Sequence, residues 1–274
     1  MPSEFEKTLL TKAQNPLSVK AKKHLGQHFL TDENIAAKIV ESLSFQNYGH
    51  VLEVGPGMGI LSKYLLNKDS KIWLAEIDTE SIDYLKKNYP QLAETDFVGD
   101  FLKTDFEFAR NEQIAVIGNF PYNISSQILF HIIENYHLIP EMAGMFQKEV
   151  AERTAATPRT KDYGILSVMV QAYYDVKYLF TVGENVFNPP PKVKSGVIRL
   201  TRNPKEGLAG NEALFKNIVK TGFNQRRKKL SNALKPLGIP ESIKNHRFMD
   251  QRAEELSVAD FIGFAEEWRQ ALGV

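Results

Sequence analysis

The sequence predicts an α/β fold, a parallel sheet built of βαβ units, followed by a small α-helical domain. Three observations carry this. Up to residue 202, apolar runs of strand length alternate with segments of helical spacing, the pattern of βαβ units with right-handed crossovers. A glycine-rich turn, GPGMG at 55–59, joins the first of those runs to the helix after it. Beyond RNPKEGLAGNEA (202–213), a linker-like stretch rich in Gly, Pro, Asn and charge, only helical patterns remain.

Taken in order, TDENIAAKIVESL has helical spacing from residue 31 behind a Thr or Asp cap. HVLEV then reads as a strand, ILSKYLLNK as a helix, KIWLAEID as the second strand and TESIDYLKKNY as its helix. TDFVGDFL is expected to be a third strand ending at Gly99 and Asp100, QIAVIGN a fourth, and SSQILFHIIENY the helix that follows. PEMAGMFQKEVAER reads as a strand running into a helix and YGILSVMVQAYY as a buried helix. DVKYLFTV and KSGVIRLTR are strand candidates separated by the proline-rich NPPPK. EALFKNIVKTGF, RKKLSNALKPL and VADFIGFAEEWRQAL complete the pattern as helices. The expected division is therefore a domain over 1–204, with a basic N-terminal segment 1–30, and a helical domain over 205–274.

With 274 residues, 43% hydrophobic and 24% charged, the chain is long enough for one large core or for a medium and a small one. Cysteine is absent, which removes disulfides, thiolate metal sites and Cys nucleophiles together. The start, MPSEFEKTLLTKAQNP, lacks an apolar core for a signal peptide, and no segment approaches the ~20 apolar residues that span a bilayer, so a cytoplasmic protein with no membrane association is expected. A net charge of +1 does not suggest a polyanionic partner, but its distribution does. Basic residues cluster in KAKKHLGQH (20–28) and NQRRKKLSNALK (224–235) beside hydrogen-bonding neighbours, the footprint of a nucleic-acid site. A solvated helix face is the commoner reading of any single such run.

Gly55, Gly57 and Gly59 follow a strand and open a helix, so the backbone can pass close beneath a bound cofactor. Their G-x-G-x-G spacing differs from the dinucleotide fingerprint, and no Lys-Ser/Thr follows, which disfavours a Walker-type phosphate cradle. Glu76 lies about 20 residues on at the end of the second strand, where a carboxylate can accept both hydroxyls of a ribose. Asp100 ends the next strand, where it can face an adenine amino group. One acid of this kind alone, Glu53 included, is more often a surface carboxylate at a strand end. The joint spacing suits an adenosine without phosphate, as in S-adenosylmethionine, at least as well as NAD.

Asn119, Phe120, Pro121 and Tyr122 end the fourth strand, in IGNFPYNISS. An exocyclic amine on a base is a poor nucleophile because its lone pair is delocalised into the ring. The Asn side-chain oxygen and the carbonyl of the residue before or at the proline can hold its two hydrogens out of the ring plane, leaving the lone pair aimed at a methyl donor. Tyr122 can stack on the base. Such chemistry is mainly positioning for an in-line displacement and needs neither metal nor covalent nucleophile; the six His show no ligand spacing.

KKHLGQHFL, LEVGPGMG, AEID, GD, GNFPYNISS, QKEVAER, YGILSVMVQ, FNPPPKVKS and FNQRRKKLSNAL resemble, in order and over nearly the entire chain, the ribosomal RNA adenine N6-dimethyltransferase family, most closely its bacterial small-subunit branch. The resemblance implies a seven-stranded, Rossmann-like S-adenosylmethionine-dependent methyltransferase domain with a small α-helical C-terminal domain. It implies dimethylation of two adjacent adenosines in the hairpin loop near the 3′ end of 16S small-subunit rRNA. His28 and Leu30 of the QHFL segment, Gly55, Gly57, Glu76, Asp100 and Asn119 are then the S-adenosylmethionine contacts, and Asn119 to Tyr122 the target-amine site, with Phe187 closing on the far face of a flipped adenine. His28 stands where the family often has Asn. Lys20, Lys22, Lys23, Arg226, Arg227, Lys228 and Lys229 are the candidate phosphate contacts to small-subunit rRNA or an immature 30S subunit, and a monomer is expected. The alternatives are the large-subunit branch, whose members methylate 23S rRNA and confer macrolide resistance, and a non-catalytic rRNA-binding, assembly or transcription factor of the same fold. A nicotinamide oxidoreductase is a more distant alternative.

Overall fold

The computed structural model describes residues 19–110, 112–203, 208 and 210–273. Residues 1–18 of the expected basic segment, and 204–207 and 209 of the expected linker, lie outside the described residues.

In chain order the elements are β1 (Phe29–Leu30), α1 (Glu33–Glu41), β2 (His50–Val54), α2 (Ser62–Leu65), β3 (Lys71–Ala75), α3 (Thr79–Asn88), β4 (Ile114–Asn119), α4 (Ser125–Glu134) and β5 (Glu141–Gln147). There follow α5 (Lys148–Ala155), α6 (Ile165–Gln171), β6 (Tyr174–Val182), β7 (Phe187–Asn188), β8 (Ser195–Arg202), α7 (Glu212–Asn224), α8 (Leu230–Ala233) and α9 (Val258–Ala271). The main sheet runs β3-β2-β4-β5-β8-β6. Neighbours from β3 to β5 are parallel, whereas β8 is antiparallel to both β5 and β6. β1 pairs with β7 in a separate antiparallel ribbon.

The third expected strand does not form a ladder. Phe97 makes a single parallel bridge to Leu74, and the Val98 N–H donates to the Leu74 carbonyl at 2.9 Å, so this segment occupies a seventh sheet position beside β3 without extending it. The reason is local. Short 3₁₀ turns at Glu94–Asp96 and Phe101–Lys103 bracket it, and Gly99 sits at φ 73°, which bends the chain away from the sheet. The helix expected over ILSKYLLNK likewise shrinks to α2, because the glycine turn consumes its first residues. At the start of α1 the cap is Asp32, which accepts from the Ile35 N–H at 3.0 Å; the Thr31 hydroxyl instead donates to the Val186 carbonyl.

The centre of the sheet is buried on both faces, as expected of parallel strands covered by helices. Leu52, Val54 and Val116 point into one apolar cluster and Val51, Ala115 and Ile117 into the other, the period-two alternation of a strand. The first cluster continues without a break into the C-terminal helices through Phe215, Phe261, Phe264 and Trp268. Tyr163 is fully buried at this junction and donates to the Leu256 carbonyl at 2.9 Å. No helix among the described residues is long and apolar enough to cross a membrane.

One close approach in the sheet shapes what lies above it. Phe120, just past β4, is 1% exposed and stacks on Phe146 with ring centroids 4.5 Å apart. It fits only because β5 carries Gly144, where an added Cβ would come within 2.4 Å of both the Gly118 carbonyl and the Phe120 ring. Gly144→Ala is therefore expected to cost about 1–3 kcal/mol by overpacking a core contact whose nearest atom is backbone. Urea melts should show the loss as a lower midpoint with an unchanged slope, and a variant as stable as the wild type would contradict the contact.

Candidate functional site

The parallel strands end together, and their carboxyl edge opens into a cavity of about 220 Å³. Gly55 and Gly57, Glu76, Asp100, and Asn119 to Tyr122 line it, so three strand ends and the bridge segment supply the residues that the sequence singled out. This is where an open α/β sheet places ligands.

The glycine turn forms the floor. Gly57 lies at φ 55°, and a Cβ there would sit 2.8 Å from the Phe29 ring, so both backbone conformation and space require glycine. Its N–H donates to Glu76 Oε2 at 3.3 Å, while Oε1 accepts from the N–H groups of Ile77 and Asp78, each at 2.9 Å. Burial pushes the Glu76 carboxyl above its usual range, and those three backbone donors partly offset the shift. The result is a fixed acceptor at the rim of the cavity. Asp100 is more open, with Oδ1 capping the next turn through the Leu102 N–H at 3.1 Å and Oδ2 3.2 Å from Lys103 Nζ.

Residues 19–31 cross this edge as a strap. Its anchor is Asp78, 2% exposed, which takes Lys22 Nζ in an ion pair and accepts from Gln27 Nε2 at 3.0 Å. Burial raises the Asp78 carboxyl, but the Lys22 and Gln27 bonds together with the Glu80 N–H pull it below its usual value. Neither Asp78 nor Gln27 stood out in the sequence. The local signal is that Asp78 follows Glu76 by two positions at the same strand end and caps α3, and Asp78 and Gln27 fall within the motifs AEID and KKHLGQHFL that carry the resemblance. Lys22 thereby serves as a tie of the strap, its ammonium engaged by a buried carboxylate. Lys20 and Lys23 remain exposed on the strap.

The strap also meets the N-F-P-Y turn. Asn119 Nδ2 donates to the His28 carbonyl at 2.8 Å, so the strap contact of His28 is made through its backbone. With the amino group so bonded, Asn119 Oδ1 is the acceptor left over. The Pro121 carbonyl is taken by the Ile124 N–H at 3.3 Å and lies 3.4 Å from Ser125 Oγ. Phe120 reaches the cavity, but its ring belongs to the core. Tyr122 is half-buried and lies against the His28 ring, centroids 5.4 Å apart and planes 29° from parallel. Burial raises its hydroxyl above the usual range, and a hydrogen bond to Ser195 partly offsets this.

Two predicted residues lie elsewhere. Phe187 is 4% exposed, pairs with Leu30 across the β1–β7 ribbon, and packs in the apolar cluster with it, because that ribbon turns both side chains toward the core. Phe187 thus packs in this apolar cluster, outside the lining of the larger cavity. Leu30 lines a neighbouring cavity of about 30 Å³ with Glu53, Gly55 and Asn119. Among the four C-terminal basic residues, Arg226 is spent internally, pairing with Glu254 at 2.5 Å and donating to the carbonyls of Lys161 and Thr160. These bonds make it a tie between the C-terminal helices and the loop after α5. Lys229 pairs with Asp250 at the surface, and Arg227 and Lys228 are exposed. Among the described residues no group of three or more His, Asp or Glu is placed to hold a metal ion.

Beneath the glycine turn, Glu53 is 1% exposed and accepts from Ser62 Oγ at 2.6 Å. Burial pushes its carboxyl up to about 8, the Ser62 bond opposes this, and nearby Glu76 adds to it. An acid raised in the folded state binds its proton more tightly there than in the unfolded chain. Its ionisation therefore removes stability as pH climbs from the unfolded value near 4.5 to about 8. Glu53→Gln should abolish this component, so that urea melts show the variant gaining on the wild type between about pH 5 and pH 8. Parallel pH profiles would refute the assignment.

The chain is similar to known proteins over most of its length. A relative from Flavobacterium johnsoniae, named Ribosomal RNA small subunit methyltransferase A, is 56% identical over 245 residues, covering 89% of this chain and 94% of its own. One of the same name from Cytophaga hutchinsonii is 55% identical over 89% of this chain and 95% of its own. Among solved structures, a dimethyladenosine transferase from Plasmodium falciparum superposes with TM-score 0.78 at 26% identity, over 89% of this chain and 98% of that one. The 23S rRNA methyltransferase ErmE does so with TM-score 0.66 at 25% identity, over 88% and 100%. The model of one family, described as ribosomal RNA adenine dimethylase, matches residues 18–270, a span that takes in the strap, the cavity and the C-terminal helices alike, and the chain belongs to that family.

Proposed function

We propose that this protein transfers methyl groups from S-adenosylmethionine to N6 of two adjacent adenosines in the 3′-terminal hairpin loop of 16S rRNA, giving N6,N6-dimethyladenosine during ribosome biogenesis. The observation that carries the reading is Asn119, whose amino group is bound to the His28 carbonyl and whose Oδ1 is left as an acceptor beside Tyr122. The names of the relatives, small-subunit methyltransferases at 55–56% identity, support the substrate class.

When bound, S-adenosylmethionine supplies a methyl group activated by its sulfonium. Glu76, already fixed by three backbone N–H groups, accepts the ribose hydroxyls, and Asp100 accepts from the adenine amine of the cofactor, with Gly55 and Gly57 leaving room for close backbone approach. Asn119 Oδ1 takes one hydrogen of the target amine. Because the Pro121 carbonyl already has partners in its own turn, the Phe120 carbonyl is assigned the second. Tyr122 offers its ring to the flipped base. Its raised hydroxyl stays protonated at neutral pH, so it acts as a surface and not as a base. Catalysis then rests on orientation and on stationary dipoles.

The substrate offers its bases from a hairpin loop, since a stacked, paired base cannot reach the cavity. We assign residues 205–274, as a helical domain following 1–204, to RNA binding, with Arg227, Lys228, Lys229, Lys20 and Lys23 as phosphate contacts. The partner is an immature 30S subunit, and the protein acts as a cytoplasmic monomer.

Purified protein incubated with labelled S-adenosylmethionine and unmethylated small subunits should yield N6,N6-dimethyladenosine, and Asn119→Ala should slow its formation roughly 10²–10³-fold, the usual cost of one preorganised polar group. Product confined to 23S rRNA would favour the large-subunit reading, and cofactor binding without product on either rRNA would favour the non-catalytic one. In a salt titration of RNA binding, Arg227→Ala and Lys228→Ala should each reduce the slope of log K against log salt by about one. Arg226→Ala should lower thermal stability instead, because it unties Glu254.

A further inference from the structure

Tyr122 is held from two directions. Its hydroxyl oxygen lies 2.5 Å from Ser195 Oγ. Ser195 is fully buried as the first residue of β8, registered between Gln147 of β5 and Val182 of β6. Because β8 runs antiparallel to β5, its first residue falls at the sheet edge where β4 and β5 end, which brings it to a turn 73 positions earlier in the chain. One face of the Tyr122 ring meanwhile carries the ring of His28. That imidazole is tied down in turn, its Nδ1–H donating to the Pro189 carbonyl at 2.8 Å.

We propose that Ser195 is a positioning residue for methyl transfer, fixing the plane of the Tyr122 ring so that a flipped adenine stacks on the face that His28 does not cover. This rests on the methyltransferase reading above and adds to it a residue that does not touch the base. The physical case is that a ring with its hydroxyl anchored and one face packed cannot tilt freely. Removing the Ser195 hydroxyl leaves the Tyr122 hydroxyl half-buried without that partner, and the ring then reorients to find another. A stacked base follows the ring, and a small misalignment of the amine against Asn119 is costly in an in-line transfer. The same contact accounts for a buried serine at the head of a strand that continues with the buried residues Gly196, Val197 and Ile198.

Single-turnover methylation of unmethylated small subunits, at saturating RNA and cofactor, tests this. Ser195→Ala and Tyr122→Phe should each slow the step about tenfold, which corresponds to about 1.4 kcal/mol. The double variant should be no slower than the slower single one, since both remove the same bond. Cofactor affinity and melting temperature should change little. Ser195→Thr should be faster than the isosteric Ser195→Val, which a purely structural role would not require. Additive losses, or equal rates for Thr and Val, would overturn the proposal. A second measurement does not depend on activity: in protein labelled at tyrosine Cζ with ¹³C, the resonance lost in Tyr122→Phe should shift in Ser195→Ala. Absence of a shift would also overturn it. Wild-type protein that makes no product would sink the functional reading alone, and the resonance would still decide whether Ser195 holds the ring.

Discussion

The bond from Asn119 Nδ2 to the His28 carbonyl is the interaction on which the rest of the site depends. It does two things at once. It fixes which atom of the Asn119 amide remains as an acceptor, and it ties the strap over residues 19–31 to the end of β4. Without a donor's partner on the strap, the amide would be free to turn, and an acceptor that must hold an amine hydrogen out of plane would lose its orientation. The other end of the strap is held by Asp78, whose burial makes its pairing with Lys22 and Gln27 obligatory. The two anchors sit past the ends of β3 and β4, with β2 between them, so the parallel sheet sets the distance between them.

A second constraint lies below the turn. Phe120 buries its ring between Gly118, Gly144 and Phe146, which pulls the backbone of N-F-P-Y down onto the sheet and leaves the Phe120 carbonyl and Tyr122 above it. The aromatic residue in the motif is thus an anchor, and the chemistry belongs to the residues on either side. Ser195 and His28 then act on Tyr122 from outside the motif.

Charge is sorted by the same logic. Lys22 and Arg226 resemble their basic neighbours in sequence, yet each is engaged by an acid and by groups of the folded chain: Lys22 by Asp78 and Glu80, and Arg226 by Glu254 and two carbonyls. Their neighbours Lys23, Arg227 and Lys228 face solvent. A basic run is therefore a mixture of structural ties and available charge, and only the partners distinguish them.

The order of strands and helices, the glycine turn, Glu76, Asp100 and the N-F-P-Y turn were legible from residue order because each depends on local rules: period-two or helical spacing, backbone freedom at glycine, and the position of a residue at a strand end. The tertiary structure decided what depends on contacts between distant segments. Phe187 looked like a cavity residue until its ribbon with Leu30 turned it into the core. The third strand became a bridge because the turns on both sides and Gly99 bend it away from β3. Asp78 and Ser195 fall within the motifs AEID and FNPPPKVKS, but the roles they take were not legible there, since a buried carboxylate or hydroxyl is defined by the partner that reaches it, and those partners lie 56 and 73 positions away. Sequence determined which residues stand at the edge of the sheet; folding determined which of them face the cavity, because orientation there is set by hydrogen bonds between segments that only the closed sheet brings together.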